Sequence, residues 1–355
     1  VQTKEGEAVL EGTVDILLGN NQKHELVEML RAYEAEHRMQ VEGIDINEKG
    51  QPFEELHLTQ TAEHTRAFIK VQDGCNQFCS YCIIPFARGR VRSRNLGQVL
   101  EEVQALARRG YKEVVLTGIH LSSYGVDCED TLLHLIKEVH EVEGIERIRL
   151  GSLEPRLITE EFVRELVMLP KVCPHFHLSL QSGCDATLTR MNRRYNTAEY
   201  EDGCRVLRRY YEHPAITTDV IVGFPGETEE EFQITSAYLG RIHFYEMHIF
   251  KDSKRQGTKA AVMPDQIPEQ TKTLRSGVLL ELEEQMSEEF RSYYVGRSED
   301  VLFEEQITVD GQEMYVGYTR EYVKVCVESP EDLANRILPC RIIRKVREDL
   351  YLAEI

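Results

Sequence analysis

No stretch of this chain approaches the roughly 20 consecutive apolar residues that a bilayer-crossing helix needs, so no membrane segment is expected. Positive charge is scarce. With 42 Lys and Arg against 61 Asp and Glu, the formal net charge is −19, which argues against sequence-independent nucleic-acid binding by the whole surface. A secreted disulfide framework is lacking as well: of nine cysteines in 355 residues, three are clustered and six dispersed. That usage fits a reducing compartment, and a cytoplasmic location is expected on this ground. An initiating methionine is missing too, because the chain opens at Val1, and the full-length protein is expected to begin upstream. What is present, 41% hydrophobic and 29% charged residues, suits a soluble globular chain of two or three domains.

The rest is organised around Cys75-Asn76-Gln77-Phe78-Cys79-Ser80-Tyr81-Cys82, a CxxxCxxC loop directly after an apolar run that reads as a strand. Three thiolates in so tight a loop can face one point, as a metal centre requires and a disulfide does not. Zinc would want a fourth protein ligand, and none follows at finger spacing. A [4Fe-4S] cluster on three cysteines leaves one iron open to a further ligand. A structural zinc knuckle is the alternative.

Residues 14–19 read as a buried strand, and 22–36 as a helix with Leu26, Met29, Leu30 and Tyr33 on one face. Such a pair is half an α/β unit and cannot bury itself alone. Residues 43–62 read as a linker. Beyond it, strands are expected at 67–72, 113–119, 147–153, 175–181, 216–222 and 244–250. Apolar stripes between them (Val99, Val103, Leu106; Leu132, Leu135, Ile136, Val139; Phe162, Leu166, Leu169) predict helices, and Thr228 with Glu231 predicts a capping box. Six βα units imply a parallel sheet, an open, partial (βα)6 barrel with its chemistry at the C-terminal strand ends, where the cysteine loop lies. A long helix is expected over 268–295. Five short strands, at 300–303, 313–318, 322–327, 340–343 and 350–354, then suggest a small β-barrel.

Small polar motifs recur at the expected strand ends: Thr117-Gly118-Ile119-His120, Ser152 with Glu154, Gln181-Ser182-Gly183, and Gly223-Phe224-Pro225-Gly226-Glu227. His175 and His177 alternate on one strand, where a hydrogen-bonded, packed pair is expected rather than a metal site. Cys128, Cys173, Cys184, Cys204, Cys326 and Cys340 are expected to be buried thiols.

Taken with Ile84-Pro85-Phe86-Ala87-Arg88-Gly89-Arg90, Leu178-Ser179-Leu180-Gln181-Ser182-Gly183, Met191-Asn192-Arg193 and Asp219 to Thr228, the cysteine loop resembles the radical S-adenosylmethionine methylthiotransferases over nearly the whole chain. Val316-Gly317-Tyr318-Thr319, and Ile83-Ile84-Pro85 with Arg92-Ser93-Arg94, are most similar to the branch acting on N6-threonylcarbamoyladenosine beside the tRNA anticodon. The resemblance implies an α/β chain in three parts. Residues 1–62 would be the remnant of an N-terminal α/β methylthiotransferase domain plus linker, 63–296 a radical-SAM partial barrel with its long closing helix, and 297–355 a TRAM-like RNA-binding β-barrel.

It also implies that Cys75, Cys79 and Cys82 hold a [4Fe-4S] cluster whose open iron takes the amino and carboxylate groups of S-adenosylmethionine. Tyr81 would shield the cluster, Gly118 lie by the methionine amino group, and Arg193 meet its carboxylate, with Ser152, Glu154 and Gln181 as further polar contacts. No catalytic residue beyond these is implied. The reaction would insert a methylthio group at C2 of the adenine at position 37, an aromatic C–H that general acid–base groups cannot replace at neutral pH. Partners would be tRNA and a reductant such as a flavodoxin or ferredoxin. Family members hold a second [4Fe-4S] cluster in the N-terminal domain; here the first cysteine is Cys75, so that cluster is expected only in a longer chain, and complete methylthiolation is not expected from these residues alone. Arg88, Arg90, Arg92 and Arg94, and Arg341, Arg344 and Lys345, are candidate RNA contacts. Sister enzymes acting on isopentenyladenosine or on a ribosomal protein would share every cluster residue. An RNA-binding protein with structural zinc is the alternative of another class.

Overall fold

The computed structural model describes residues 13–37, 40–42, 50–55 and 65–355. Its centre is a run of parallel strands, each followed by helix: β3 (Arg66–Asp73), β5 (Glu113–Gly118), β6 (Arg147–Leu150), β7 (His175–His177), β8 (Ala215–Val222) and β9 (Glu246–Lys251). The short β1 (Ile16–Leu18) and β2 (Gln40–Glu42) pair apart from it, and β4 (Arg92–Ser93) lies antiparallel to the end of β3. Ladders join β4-β3-β5-β6 and β7-β8-β9, and parallel bridges at Ile148 to Val172 and Leu153 to Leu178 carry the sheet across the gap. The result is the expected half-barrel. Strands β6 and β7 are shorter than the apolar runs that announced them, because beyond Leu150 and His177 the chain leaves the ladder to build the rim.

The helices follow local chemistry. Asn95, Thr131 and Thr159 cap the helices Leu96–Arg108, Leu132–His140 and Glu160–Val167 by accepting from the third backbone N–H. Full capping boxes open Thr197–Tyr210 (Asn196 with Glu199) and Glu229–Ile242 (Thr228 with Glu231). Their apolar faces and one face of the sheet share a continuous core that includes Val99, Val103, Leu135, Ile136, Leu166, Leu207 and Leu239. On β8, Ile216, Val220 and Val222 enter this core, so Thr217, Asp219 and Ile221 face the barrel lumen. By the same alternation Met247 and Ile249 of β9 turn to the core, and His248 and Phe250 to the lumen.

The helix Glu269–Ser292 closes the half-barrel and leads to β10 (Ser298–Val309), β11 (Gln312–Tyr318), β12 (Lys324–Val327), β13 (Ile337–Lys345) and β14 (Leu350–Glu354), which close into a barrel in the order β10-β11-β12-β14-β13. This small barrel docks under the N-terminal ends of the large one's strands. Tyr322 receives the guanidinium groups of Arg66 and Arg149 over its ring at 4.9 and 4.6 Å and stacks on Tyr318 at 4.6 Å. Arg66 pairs with Glu304 at 2.7 Å, Arg149 with Glu113 at 3.0 Å, and Arg147 donates to the carbonyls of Tyr318 and Asp300. Ala215, Tyr245, Phe290 and Tyr294 share one core with Val301, Phe303, Val325 and Ile342.

At the other end, the N-terminal segment (β1, the helix Leu26–Glu36 and β2) is held beside the cysteine loop. Asn20 donates to the Ala87 carbonyl at 2.7 Å, Arg88 reaches Asn20 Oδ1 at 3.4 Å, and Arg94 binds Glu55 at 2.8 Å. Of the expected apolar face, Met29 is buried, while Leu26 and Leu30 are exposed. Of the expected linker, residues 43–49 and 56–62 lie outside the described residues. Cys128 departs from the expectation of buried thiols and is exposed; the other five dispersed cysteines are buried.

Candidate active site at the barrel rim

The cysteine loop leaves β3 through Gly74, whose φ of +70° no side chain adopts cheaply and whose Cβ would lie 1.8 Å from the Arg90 carbonyl oxygen. That close approach lets Cys75 N–H donate to the Gly89 carbonyl at 3.1 Å, closing the loop. Four further hydrogen bonds tether it to distant segments. Ser80 N–H donates to the Met191 carbonyl at 3.0 Å and its hydroxyl to that of Arg190 at 2.8 Å. Asn192 donates to the Phe78 carbonyl at 2.9 Å, and Ala260 N–H to that of Ser80 at 2.8 Å. The Met191-Asn192-Arg193 motif is thus a clamp on the loop. Tyr81 seats on Met191, Phe224 and Ala260.

Cys75, Cys79 and Cys82 line one cleft of about 130 Å³ with Gln77, Tyr81, Ile119, His120, Ser152, Glu154, Ser179, Gln181 and Arg193. Five of the six expected cofactor contacts are therefore together. Gly118 is the exception: it does not line the cleft, and its missing side chain makes room for Gln72, whose Cβ and Oε1 would both be 2.9 Å from an added Cβ. Gln72 uses that space to accept from His120 N–H at 2.7 Å and to donate to the carbonyls of Asp73 and Gly74. The missing side chain at Gly118 is thus used by the packing of Gln72.

Arg193 is central. Its Nη1 donates to Cys79 Sγ at 3.1 Å, its Nε to Tyr195 OH at 2.9 Å, and its guanidinium lies 4.8 Å over the Tyr195 ring. Burial opposes its charge, but Tyr195, Tyr81 and Cys79 hold it firmly protonated. Across the cleft Gln77 donates to Glu154 at 3.3 Å, and His120 Nε2 lies 3.5 Å from the same carboxylate. Burial holds the His120 imidazole below its ordinary value, only partly offset by Glu154. The Ser152 and Ser179 hydroxyls share a hydrogen bond of 2.6 Å. Gln181, with φ +75°, is held by Asp219 and Ile221 in a strained backbone state of the kind that gathers at binding sites. Gln77, His120 and Ser179 lie within motifs quoted from the sequence but carried no assigned role there, and Tyr195 lies outside every one of them.

The donor set can be tested against the metal it was expected to hold. Burial pushes the Cys75 thiol up to about 11 and raises that of Cys82, so each is a neutral thiol at physiological pH until a cation displaces its proton. Three sulfurs on one tetrahedral zinc would stand about 3.8 Å apart. Among the described residues the one group of three potential ligands within 4.8 Å of one another is His177, Asp219 and His248; the cysteines do not form such a group. Thiols in one cleft yet not converging on a single-ion point fit a cluster that offers each its own iron.

The arginines divide. Arg92 pairs with Asp73 at 3.2 Å and Arg94 with Glu102 at 2.6 Å, both guanidinium groups being almost fully buried, which removes these two from the RNA-contact set. A buried, paired guanidinium cannot turn to a phosphate without stranding its carboxylate. Arg88 faces the N-terminal segment. Arg90, exposed and 4.6 Å over the Phe78 ring, and Arg341, Arg344 and Lys345 on the small barrel keep their heads in solvent, Lys345 pairing with Glu288. The glycine-rich turn after β8 also serves structure, since Glu227 accepts from Gly223 N–H and pairs with buried Arg275 at 2.6 Å.

Residues 69–239 match the radical SAM superfamily. The threonylcarbamoyladenosine tRNA methylthiotransferase MtaB of Bacillus subtilis is 39% identical over 346 residues, which cover 97% of this chain and 76% of that protein. The protein of the same name from Aquifex aeolicus is 43% identical over 281 residues, 78% of this chain and 67% of that one. A tRNA-2-methylthio-N(6)-dimethylallyladenosine synthase of Acetivibrio thermocellus is 36% identical over 331 residues, 93% of this chain and 68% of that one.

Proposed function

The chain belongs to the radical S-adenosylmethionine methylthiotransferases of the MtaB type, and from that premise we propose that it adds a methylthio group at C2 of N6-threonylcarbamoyladenosine at position 37 of tRNA. The observation that carries the proposal is the rim cleft, in which the three cysteines meet Tyr81, Glu154, Gln181 and Arg193 at the C-terminal ends of the strands. Cys75, Cys79 and Cys82 would hold the cluster, with S-adenosylmethionine beside it in the same cleft. When bound, the two supply the one-electron chemistry that an unactivated aromatic C–H demands.

The chain's own residues do the rest. Arg193 offers a charge-assisted hydrogen bond to Cys79 and remains cationic, which suits it to face a carboxylate. Glu154, held by Gln77 and beside His120, is an acceptor for an ammonium or a ribose hydroxyl. Tyr81, packed over Met191 and Phe224, covers one side of the cleft and excludes water. The five-stranded barrel resembles an RNA-binding module, and Arg341 and Arg344 on its surface would meet the tRNA backbone. A flavodoxin or ferredoxin would supply the electron.

Tandem mass spectrometry of tRNA nucleosides from a deletion strain tests the substrate. Loss of 2-methylthio-N6-threonylcarbamoyladenosine, restored by the gene and not by a Cys79→Ala copy, is the expected result. Loss of the isopentenyl counterpart instead would move the chain to the dimethylallyladenosine branch.

A further inference from the structure

The lumen beneath the rim cleft holds a constellation that the cluster chemistry does not use. His177 on β7, Asp219 on β8 and His248 on β9 each present one ligand atom, all within 4.8 Å of one another. They come from three adjacent strands, with Asp219 and His248 paired in register. All three face the lumen, because their neighbours Phe176, Val220 and Met247 enter the outer core. On the β7 line, Ser179 and Gln181 lead from His177 up to the cleft that the cysteines share.

We propose that His177, Asp219 and His248 form a binding site for a divalent first-row transition metal, separate from the cysteine loop. Two imidazoles and one carboxylate are the donor set of zinc and non-haem iron sites, and three protein donors leave coordination positions open to the lumen. The geometry is already close. His177 Nε2 stands 3.3 Å from Asp219 Oδ2, the ligand-to-ligand edge of a tetrahedron with bonds of about 2.0 Å. The other ring nitrogen, Nδ1, lies 2.9 Å from Thr217 Oγ1, the outer hydrogen bond that fixes a metal-bound imidazole in one tautomer with its lone pair on Nε2. His248 stacks on His177 with ring centroids 5.7 Å apart, and its side chain makes no hydrogen bond among the described residues, so it is free to turn inward. A packed histidine pair, as expected for this strand, would involve His175. Instead His175 points to the opposite end, against Tyr322 at 5.2 Å, and His177 finds its partners on the next two strands.

The site stands or falls independently of which nucleoside is modified. The test is equilibrium dialysis of the cluster-loaded protein against Zn²⁺ after chelator treatment, with zinc counted per chain and its ligands read by X-ray absorption. One zinc with nitrogen and oxygen neighbours at about 2.0–2.1 Å, and no sulfur at about 2.3 Å, is expected. His248→Ala, a change at an exposed position, and the isosteric Asp219→Asn should each weaken binding roughly tenfold or more while leaving iron content and circular dichroism unchanged. A triple Cys75, Cys79 and Cys82→Ser variant should retain the zinc. No zinc on the wild-type protein, sulfur neighbours around it, or undiminished binding in both the His248 and Asp219 variants would overturn the proposal.

Discussion

Replacing Glu113 by Gln probes the junction between the two barrels. Glu113 is almost wholly buried and answers three guanidinium groups: Arg149 at 3.0 Å, Arg147 at 3.9 Å and, through the shared Tyr322 stack, Arg66. Glu304 is the second acid of the cluster, so the substitution changes three positive and two negative charges to three and one. Breaking a buried pair by removing one partner costs about 3–5 kcal/mol, because the stranded charge keeps its desolvation penalty. With an unfolding entropy of about 2.1 cal/mol/K per residue, a chain of 355 residues shifts by roughly 1.3 °C per kcal/mol, so Tm should fall by about 4–7 °C. Burial raises the Glu113 carboxyl, but Arg149, Arg147 and Arg66 outweigh it and hold the group below its ordinary value of 4.5. A depressed carboxylate contributes fully above that value and loses its contribution as pH falls through the folded value. The wild-type Tm should therefore drop more steeply than that of the variant on acidification below about pH 4.5. Calorimetry of both proteins over that range is the assay. A second variant, Glu113→Gln with Arg149→Met, should recover part of the loss. A Tm within about 1 °C of wild type for the single variant would refute the reasoning.

Four further outcomes follow from the site. Arg193→Met removes the hydrogen bond to Cys79 and should make the cluster potential more negative and slow reductive cleavage of S-adenosylmethionine about 10–100-fold, read by a redox titration and product formation; an unchanged potential refutes the contact. Gly74→Ala forces a side chain into the Arg90 carbonyl on top of about 1–2 kcal/mol of left-handed strain, and should abolish cluster loading, read as iron per chain. The buried Cys75 thiol of the cluster-free protein, pushed up to about 11, should be alkylated by iodoacetamide at pH 8 more slowly than Cys128, whose thiol is also raised, by burial and by Asp127 and Asp130, but is open to solvent; equal labelling of the two by mass spectrometry would refute this. Reversing Arg341 and Arg344 to Glu should weaken tRNA binding and reduce its log–log salt slope by about 0.7–0.9 per lost phosphate contact. This is a cleaner test than deleting the small barrel, which would also uncover Arg66, Arg147 and Arg149.

The half-barrel was legible because its signals are local: apolar runs of strand length, capping residues at fixed offsets and a cysteine triplet within eight positions. The roles of long-range partners were not. The alternation Arg88, Arg90, Arg92, Arg94 reads as a basic patch, yet only folding brings Glu55, Asp73 and Glu102 onto two of its members. Gly118 reads as a place for a ligand to approach, and no spacing rule announced that Gln72 of the neighbouring strand also fills the space left by its missing side chain. His177 was visible, but Asp219 and His248 arrive from strands that begin some 40 and 70 residues on, and no spacing rule links residues joined only by a curved sheet. Arg193 was recognised as a cation of the site; that it spends one N–H on a cysteine sulfur required the clamp of Met191 and Asn192 to be seen.

The seating of the small barrel under the strand N-termini has a metric consequence. Strand β3 runs from Arg66, which grips Tyr322 and Glu304, to Asp73 beside the cysteine loop, a span of about 23 Å at the usual rise per strand residue. That junction is locked by buried ion pairs and stacked rings, so the surface of the small barrel and the rim cleft stand at a fixed separation. Under the proposed function, with tRNA on the small barrel, the pair would work as a caliper: one jaw on the stem, the other on the base, with an adenosine set at any other distance left out of the jaw.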